Sequence, residues 1–361
     1  MDTKFSKLII LSIVFIMLIT ACSNKQDSID EYEENEVGEI EEIEEQDESV
    51  SLEGLALNPL TGLWIDEEVA NRRPVAVMIN NIKKALPQSG ISEADIIYET
   101  LAEGEITRLV AVFQNLDAEK IGPVRSIRDY YFNIGFDHDS IIIHHGGSPQ
   151  AYEAIKKLKP SNLNTLSGLE RIMAWRDPVR RKQKGMLEHS LYTSGEKIIE
   201  GWNSVKYRFD RRSDLEPVLD FVMDEKQSIG AEAKILTVPF SNNYISEFNY
   251  DEDLKIYKKS HHKIPHIDEN NNEQLSFKNI IIQYTDIRVI PGDNEGRRDV
   301  RLIGSGKGIY ITNGVASEIT WSKNNHNTPT VFKDGLGNRL QLNPGKTYIG
   351  IFPNYRQIEF K

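Results

Sequence analysis

The feature that most restricts what this chain can fold into is an acidic stretch near its start. Between residues 23 and 53 there are fourteen Asp and Glu side chains against a single base, Lys25. Such a segment has too little apolar surface to offset the loss of chain entropy on folding, and its charges repel one another. We therefore expect residues 23–53 to be a disordered tether reaching about 30 Å or more, with the folded body starting at residue 54.

A short basic head and an apolar run, residues 8–19, precede the tether. The run is too short for a permanent membrane span and is typical of a signal peptide. It ends at Ile19-Thr20-Ala21-Cys22, the order of an aliphatic residue, two small residues and a cysteine that precedes lipoprotein cleavage. We predict that residues 1–22 are a lipoprotein signal peptide, that Cys22 is lipidated, and that the protein is anchored to the extracytoplasmic face of the bacterial cell membrane. The alternative is an ordinary signal peptide with an incidental cysteine.

Cysteine usage and charge exclude several classes of function. The chain has 1 Cys, so it can form no intramolecular disulfide and offers no second thiol for catalysis. Its formal net charge is -12, but the acidic tether accounts for this excess, and the body after it is neutral. A neutral body argues against nucleic acid as a partner, so any anionic ligand must be held by a local cluster of bases. We expect no cofactor.

The body is long enough for two domains, each with its own core. Residues 54–220 contain short apolar runs of strand length, two of which lead through glycine turns into amphipathic patterns. This indicates an α/β domain with a mixed sheet and helices. Residues 230–361 contain short alternating segments separated by turn signals, which indicates a mostly-β sandwich or barrel. The predicted fold class is α+β overall.

Two strand–turn–helix patterns suggest an anion site. Residues 109–113 lead through Gly122-Pro123 into a predicted helix over residues 124–136, and residues 141–144 lead into another over residues 150–158. Exposed backbone N–H groups at a helix start, joined by guanidinium and hydroxyl groups, hold anions. The residues predicted to do so are Arg125, Ser126 and Arg128 in the first turn and His145, Gly147 and Ser148 in the second.

If the two strands are neighbours, we expect both turns to face one cleft. In the alternative interpretation, Arg125 and Arg128 pair with Glu99, Glu103 or Asp129 and only stabilise the turn. A basic, non-periodic stretch over residues 175–193 would place Arg176, Arg180, His189 and Tyr192 over the same cleft, or else form a solvated loop.

Metal and hydrolase sites have weaker support. In an extended segment His262, His266 and Asp268 would share a face, but ligands so close together rarely enclose zinc, so we predict a surface strand and no metal. Hydrolysis would require Glu99 or Glu103 with His145 or His189, at no recognisable spacing. Residues 303–308 mimic part of a phosphate loop without its Ser or Thr, and we interpret them as a hairpin.

The body resembles the YerB-type lipoprotein family over almost its whole length. The motifs that carry the resemblance include Asn58-Pro59-Leu60-Thr61-Gly62, Arg73-Pro74-Val75-Ala76-Val77, Ile121-Gly122-Pro123-Val124-Arg125-Ser126, Gly146-Gly147-Ser148-Pro149, Leu191-Tyr192-Thr193 and Pro265-His266-Ile267-Asp268. The resemblance implies an N-terminal and a C-terminal domain of unknown function on a lipid anchor, without a reaction. This chain has Glu188-His189-Ser190 where related sequences tend to have Pro-His-Asn, which keeps the imidazole but weakens any role for an adjacent amide.

These features together suggest an envelope lipoprotein whose α/β domain binds an anionic ligand, such as a cell-wall precursor, a peptide carboxylate or a phosphate-bearing polymer. The β domain would then contact a partner or the wall. Two alternatives stay open: a hydrolase acting on the cell wall or on a phosphoester, and a scaffold for a membrane protein complex.

Overall fold

Most of the secondary structure is β-strand. The structure is a computed structural model that describes residues 52–361, so the predicted signal peptide, Cys22 and nearly all of the tether lie outside the described residues. Within the described part no helix is long and apolar enough to cross a membrane.

The strands are short and follow one another along the whole body. In chain order they are β1 (Leu55–Leu57), β2 (Trp64–Asp66), β3 (Val75–Asn80), β4 (Ile96–Leu101), β5 (Thr107–Phe113), β6 (Ile141–His144), β7 (Asn162–Asn164), β8 (Trp175–Arg176), β9 (Leu191–Tyr192), β10 (Asp220–Phe221), β11 (Ala231–Glu232), β12 (Ile235–Pro239), β13 (Ile245–Asp251), β14 (Ile256–His261), β15 (Ile264–Pro265), β16 (Ser276–Phe277), β17 (Asn279–Thr285), β18 (Ile287–Val289), β19 (Arg298–Val300), β20 (Gly304–Thr312), β21 (Val315–Lys323), β22 (Val331–Lys333), β23 (Gln341–Leu342), β24 (Thr347–Pro353) and β25 (Glu359–Phe360).

The helices lie in the first two thirds of the body. They are α1 (Glu67–Asn71), α2 (Tyr131–Asp137), α3 (Pro149–Leu158), α4 (Glu170–Met173) and α5 (Gly195–Val205). Helix α3 begins as predicted, because Pro149 occupies its first turn and the Ser148 hydroxyl accepts a hydrogen bond from the Ala151 N–H. Helix α5 buries Ile198 and Trp202 against the core.

One large mixed sheet organises the molecule. Its strand order is β11-β21-β20-β17-β24-β4-β5-β3-β6-β7, with β22 beside β21. Every residue of β3 and β5 is buried, which explains why these strands are apolar on both faces. Strand β24 pairs in parallel with β4, from Thr347 opposite Ile96 to Gly350 opposite Glu99, so strands from both ends of the body share this sheet.

A second sheet, ordered β15-β14-β13-β12-β25 with β16 beside β14, packs on the large one. The Ser246 hydroxyl of β13 reaches Glu99 on β4, and the Phe248 ring lies 4.7 Å from the Tyr348 ring of β24. The predicted fold class is therefore confirmed, with mixed sheet and helices in the N-terminal part and mostly strands in the C-terminal part. The predicted division near residues 220–230 stays a prediction. The hairpin predicted at residues 303–308 lies within β20, which pairs with β21.

Candidate functional site

The segment predicted to be a helix over residues 124–136 is extended at its start, and the helical prediction there is wrong. The N–H of Val124 donates to Leu191, that of Arg125 to Met78 and that of Ile127 to Gly146, so none is free to form helical bonds. Helix α2 begins only at Tyr131. Consequently, Arg125, Ser126 and Arg128 do not stand at a helix start, and their segment offers no row of free N–H groups to an anion.

The two predicted turns nevertheless lie side by side. The His145 N–H donates to the Arg125 carbonyl, and the Ser126 hydroxyl donates to the His145 carbonyl at 2.9 Å. A Cβ at Gly147 would lie 3.2 Å from the Ile127 side chain, so little room is left there. Because Ser126, Gly147 and Ser148 are engaged in backbone pairing, packing and capping, they hold the two turns together.

Two buried arginines share one carboxylate behind this segment. Arg128 contacts Glu103 at 2.5 Å and Arg108 contacts its other oxygen at 2.8 Å. Burial alone would raise the pKa of Glu103, but Arg108 and Arg128 hold it below its usual range. Arg128 thus adopts the ion pair considered as an alternative, whereas Arg125 contacts Glu188 at 3.2 Å, a partner that was not foreseen.

The remaining predicted residues do not share one site: Arg176 lies beside His145, and Tyr192 lies beside Lys120. Arg176 lies 3.4 Å from Nε2 of His145, whose Nδ1 contacts the Thr165 hydroxyl. Tyr192 is fully buried, with the Lys120 ammonium 4.3 Å above its ring. Neither Arg176 nor Tyr192 lines the cavity described next.

A cavity of about 370 Å³ opens at the end of β3, and Arg125 and His189 are the predicted residues that line it. Sequence reasoning missed the other lining residues, which are Asn80, Ile82, Lys83, Lys84, Ile106, Arg108, Glu188 and Tyr244. Four of the lining side chains are cationic against one carboxylate. We call this space the Arg125 cavity.

Two guanidinium groups of the Arg125 cavity keep unused hydrogen-bonding capacity. The Arg108 side chain is only 1% exposed, and its terminal nitrogens are bound to the Ser126 carbonyl and Glu103. Among the described residues, the Nε atoms of Arg108 and Arg125 have no hydrogen-bond partner. Buried donors without partners are costly.

His189 offers the cavity a donor. Its Nδ1 lies 2.8 Å from Nδ2 of Asn80, whose Oδ1 accepts from the Ile82 N–H at 3.3 Å. Since Asn80 donates through Nδ2, Nδ1 of His189 accepts, and the ring proton resides on Nε2. Burial and the charge of Arg125 lower the pKa of His189, which keeps the ring neutral. The polar side chains that line the cavity are therefore mostly hydrogen-bond donors.

A buried ionic cluster lies behind the cavity. Glu99 and Lys259 are fully buried, with Nζ 3.5 Å from the carboxylate. The carboxylate also accepts hydrogen bonds from Asn81, Thr107, Ser246 and Tyr348. Burial would raise the pKa of Glu99, but Lys259 and the Thr107 and Tyr348 hydroxyls lower it.

Lys259 and the histidine beside it form the second half of this cluster. Lys259 lies 3.2 Å from Nδ1 of His266, whose Nε2 lies 2.7 Å from Oε1 of Gln88. Gln88 donates through its Nε2 to Asn80 and Asn81, so its Oε1 accepts and His266 carries its proton on Nε2. Burial lowers the pKa of Lys259. The signal for this cluster was available, because Lys259 shares a strand face with buried Tyr257.

The carboxylate–histidine pairs that a hydrolase would require are not formed among the described contacts. Glu99 is enclosed by its own partners and Glu103 by two arginines, and no described hydrogen bond or ion pair joins either carboxylate to His145 or His189.

The expectation that His262, His266 and Asp268 share a face of a surface strand is wrong. His262 has φ +52° in the turn after β14, which breaks the extended alternation. His266 and Asp268 are buried, and Asp268 accepts hydrogen bonds from the Gly90 and Ser92 N–H groups. Among residues 52–361 no group of three or more His, Asp or Glu side chains is arranged to hold a metal ion.

Two regions of the chain are similar to known proteins. Residues 60–208 match the N-terminal domain, and residues 236–349 the C-terminal domain, of DUF3048, a protein of unknown function. YerB of Bacillus subtilis (strain 168), which is named as a lipoprotein, is 35% identical over 299 residues, which are 82% of this chain and 86% of YerB. The crystal structure of YerB protein from Bacillus subtilis has a TM-score of 0.73 at 34% identity and covers 84% of this chain and 98% of that chain.

Proposed function

The chain belongs to the YerB-type family of proteins with DUF3048 domains, and from that premise we propose that it is a lipid-anchored extracytoplasmic protein that binds an anionic cell-envelope ligand. The observation that supports binding is the wall of the Arg125 cavity, where Arg108, Arg125, Lys83 and Lys84 face one carboxylate, Glu188. Phosphate and carboxylate groups are the anions that arginine binds best, because its donors match their oxygens in pairs.

The hydrogen-bonding groups of the cavity also favour one kind of ligand. His189 presents an Nε2–H donor, and the Nε atoms of Arg108 and Arg125 lack partners within the described part of the chain. A group with several acceptor oxygens and no donors satisfies all of them. Glu188 is the exposed member of the pair with Arg125, its side chain being 71% exposed against 21% for Arg125, so it can move aside when an anion enters.

Ligand binding is tested by calorimetric titration of residues 52–361 with inorganic phosphate, phosphorylated polymers and peptide carboxylates. These residues form one compact unit, and a similar part of YerB has been crystallised. We expect Arg125→Ala to weaken binding about tenfold or more, because a charge-assisted hydrogen bond is lost. The control is Arg288→Ala, since Arg288 is 74% exposed and pairs with Asp286 outside the cavity. Equal affinity of wild type and Arg125→Ala would refute this site.

The anchor is tested separately in living cells. The lipobox at Ile19-Thr20-Ala21-Cys22 supports lipidation of Cys22. We expect radiolabelled palmitate to be incorporated by the wild type and not by Cys22→Ala, and protease added to intact protoplasts to degrade the body. Lack of label in the wild type would exclude the anchor without affecting the ligand site.

A further inference from the structure

A basic surface borders the Arg125 cavity. It consists of Lys83 and Lys84, which also line the cavity, and of three cations from the basic stretch noted in the sequence, Arg181, Lys182 and Lys184. All five residues are exposed. Within the described part of the chain, none of the five side chains is joined to another group by an ion pair or a hydrogen bond. We call these five residues the basic rim.

Two separate segments of the chain form the basic rim side by side. Arg180 donates to the carbonyls of Ala85 and Pro87, at 3.0 Å and 2.6 Å, and so holds its own segment against the one that carries Lys84. A Cβ at Gly185 would lie 3.9 Å from the Lys84 ammonium. The cations of the two segments therefore belong to one surface.

The basic rim is also continuous with the cavity. Lys84 belongs to both, and the segment after Lys184 leads directly into Glu188 and His189 of the cavity wall. Besides burial and the charge of Arg125, the charges of Lys84 and Arg180 lower the pKa of this histidine, so both cations lie near its ring. A chain that leaves the cavity on this side therefore passes over the rim.

No carboxylate within its own segments opposes the basic rim. Residues 81–92 and 178–187 contain no Asp or Glu. Of the two acids that flank the second segment, Glu188 pairs with Arg125, and Asp177 accepts hydrogen bonds from two backbone N–H groups. Because the body as a whole is neutral, this excess of positive charge is local, and a surface lined by one sign of charge concentrates the opposite sign.

Exposed and recessed cations together suit a flexible chain of anionic groups. The residues of the rim are exposed, whereas the side chain of Arg125 is 21% exposed and that of Arg108 is 1% exposed. A single phosphate or carboxylate bound to the recessed pair leaves the rim unused. A flat membrane surface reaches the rim but not the recess. A chain with repeated charges can place one group in the cavity and lay the next groups over the rim.

We propose that the ligand of the Arg125 cavity is a linear polyanion, one of whose anionic groups binds Arg125 and Arg108 while the following groups bind the basic rim. This inference rests on the proposed function, because it extends the same site along one ligand. It narrows the ligand to polymers with phosphate or carboxylate groups repeated along a flexible chain.

The test compares inorganic phosphate with a linear polyphosphate by calorimetric titration of residues 52–361. Counted per phosphate group, we expect the wild type to bind the polymer about tenfold more tightly than phosphate, because several ion pairs form at once. The triple variant Arg181→Gln, Lys182→Gln and Lys184→Gln should remove most of this difference. It should leave the affinity for inorganic phosphate unchanged, because exposed charges outside the cavity are screened by salt.

The salt dependence of binding counts the phosphates that the protein neutralises. Each neutralised phosphate of a single chain contributes about 0.7 to the slope of log affinity against log salt concentration, so the triple variant should lower the slope by about 2. A second triple variant keeps the charges and should keep the wild-type slope; it carries Arg181→Lys, Lys182→Arg and Lys184→Arg.

A matched control removes three exposed cations elsewhere. Its changes are at the end of α3, where Lys159 lines a different cavity, and they are Lys156→Gln, Lys157→Gln and Lys159→Gln. This control should retain the polymer affinity and the salt slope of the wild type. An equal loss in both triple variants would show that the polymer binds to any exposed cations, and would overturn the proposal.

Vesicles of phosphatidylglycerol and phosphatidylcholine test a membrane as the partner of the basic rim. Vesicle binding that is lost on Arg181→Gln, Lys182→Gln and Lys184→Gln, while polyphosphate affinity is unchanged, would overturn the proposal in favour of membrane contact.

The remaining outcomes separate the two proposals. Phosphate binding that Arg125→Ala weakens, together with a polymer affinity no higher than that for phosphate, would overturn the polyanion and leave the anion site intact. If neither probe binds the wild type, the proposed anion site fails and the polyanion fails with it.

Discussion

Two buried lysine–carboxylate pairs in this molecule have the same charges and different surroundings. Lys323 of β21 contacts Asp137 of α2 at 2.5 Å and also donates to the Thr328 carbonyl, while Asp137 accepts from the N–H and hydroxyl of Thr330. Lys259 of β14 lies 3.5 Å from Glu99, with His266 as its other polar partner.

The difference shows that burial of an ion pair does not by itself identify its role. A buried pair with short, complete hydrogen bonding joins two parts of the chain and is costly to break. We therefore assign the Asp137–Lys323 pair to structure, and we expect the longer Glu99–Lys259 pair, whose lysine also contacts His266, to be less costly to break.

The largest expected loss of stability follows from breaking the Asp137–Lys323 pair. Asp137→Asn leaves Lys323 buried without its carboxylate, and we expect the free energy of unfolding to fall by about 3–5 kcal/mol. Urea denaturation followed by circular dichroism measures this. The double variant Asp137→Asn with Lys323→Met should recover part of the loss, because no uncompensated charge is left. A loss below that of Glu99→Gln would contradict the structural assignment.

A smaller loss, about 2 kcal/mol, is expected for Glu99→Gln. Lys259 keeps His266 as a partner, and since burial already lowers its pKa, it can release its proton more readily than an ordinary lysine. The same denaturation experiment applies. The pKa of Lys259 should fall further in this variant, so stability should recover as the pH rises from 7 to 9; a flat profile would show that Lys259 stays charged.

The smallest changes in stability are expected at two buried histidines, His138 near the Asp137–Lys323 pair and His261 near the Glu99–Lys259 pair. His138 bonds Tyr98 through Nε2 at 2.7 Å, whereas no side chain of the described residues is hydrogen-bonded to His261, so at pH 7 His138→Phe should destabilise by about 1 kcal/mol more than His261→Phe. Burial lowers the pKa of each histidine to about 3.

Acidification tests the same two histidines. Because their folded pKa values lie below the unfolded value, the unfolded chain binds more protons between about pH 6.5 and pH 3, and stability falls as the pH is lowered through that window. Each Phe variant should make the fall less steep, by up to about 1.4 kcal/mol per pH unit, when melting is recorded from pH 7 to pH 4. An unchanged slope for His261→Phe would mean that His261 binds its proton as readily in the folded protein as in the unfolded chain.

Several local elements could be predicted because neighbouring residues determine them. Strands β5 and β6 follow from the apolar runs at residues 109–113 and 141–144, and the helix predicted over residues 150–158 corresponds to α3. The helix predicted from Val124 failed because its N–H groups bond to Leu191 and Met78, which lie far away along the chain or in another strand. Local propensity contains no information about such partners.

The candidate site shows the same limit. Arg125 and His189 could be proposed from residue type, but the cavity also needs Lys83, Arg108 and Tyr244, which come from separate parts of the chain. Glu99 was considered as a base for His145 or His189, whereas its ionic partner is Lys259, 160 positions further on. Such a pairing depends on how the two sheets pack.

The sequence by itself determined the family, the α+β fold class and the prediction of an anchor at Cys22, because these depend on composition, periodicity and local motifs. The tertiary structure decided which charges meet, which are satisfied and which face a cavity. The physical reason is that the energy of a charge depends on its burial and its partners, and both are created when distant strands of the two sheets come together.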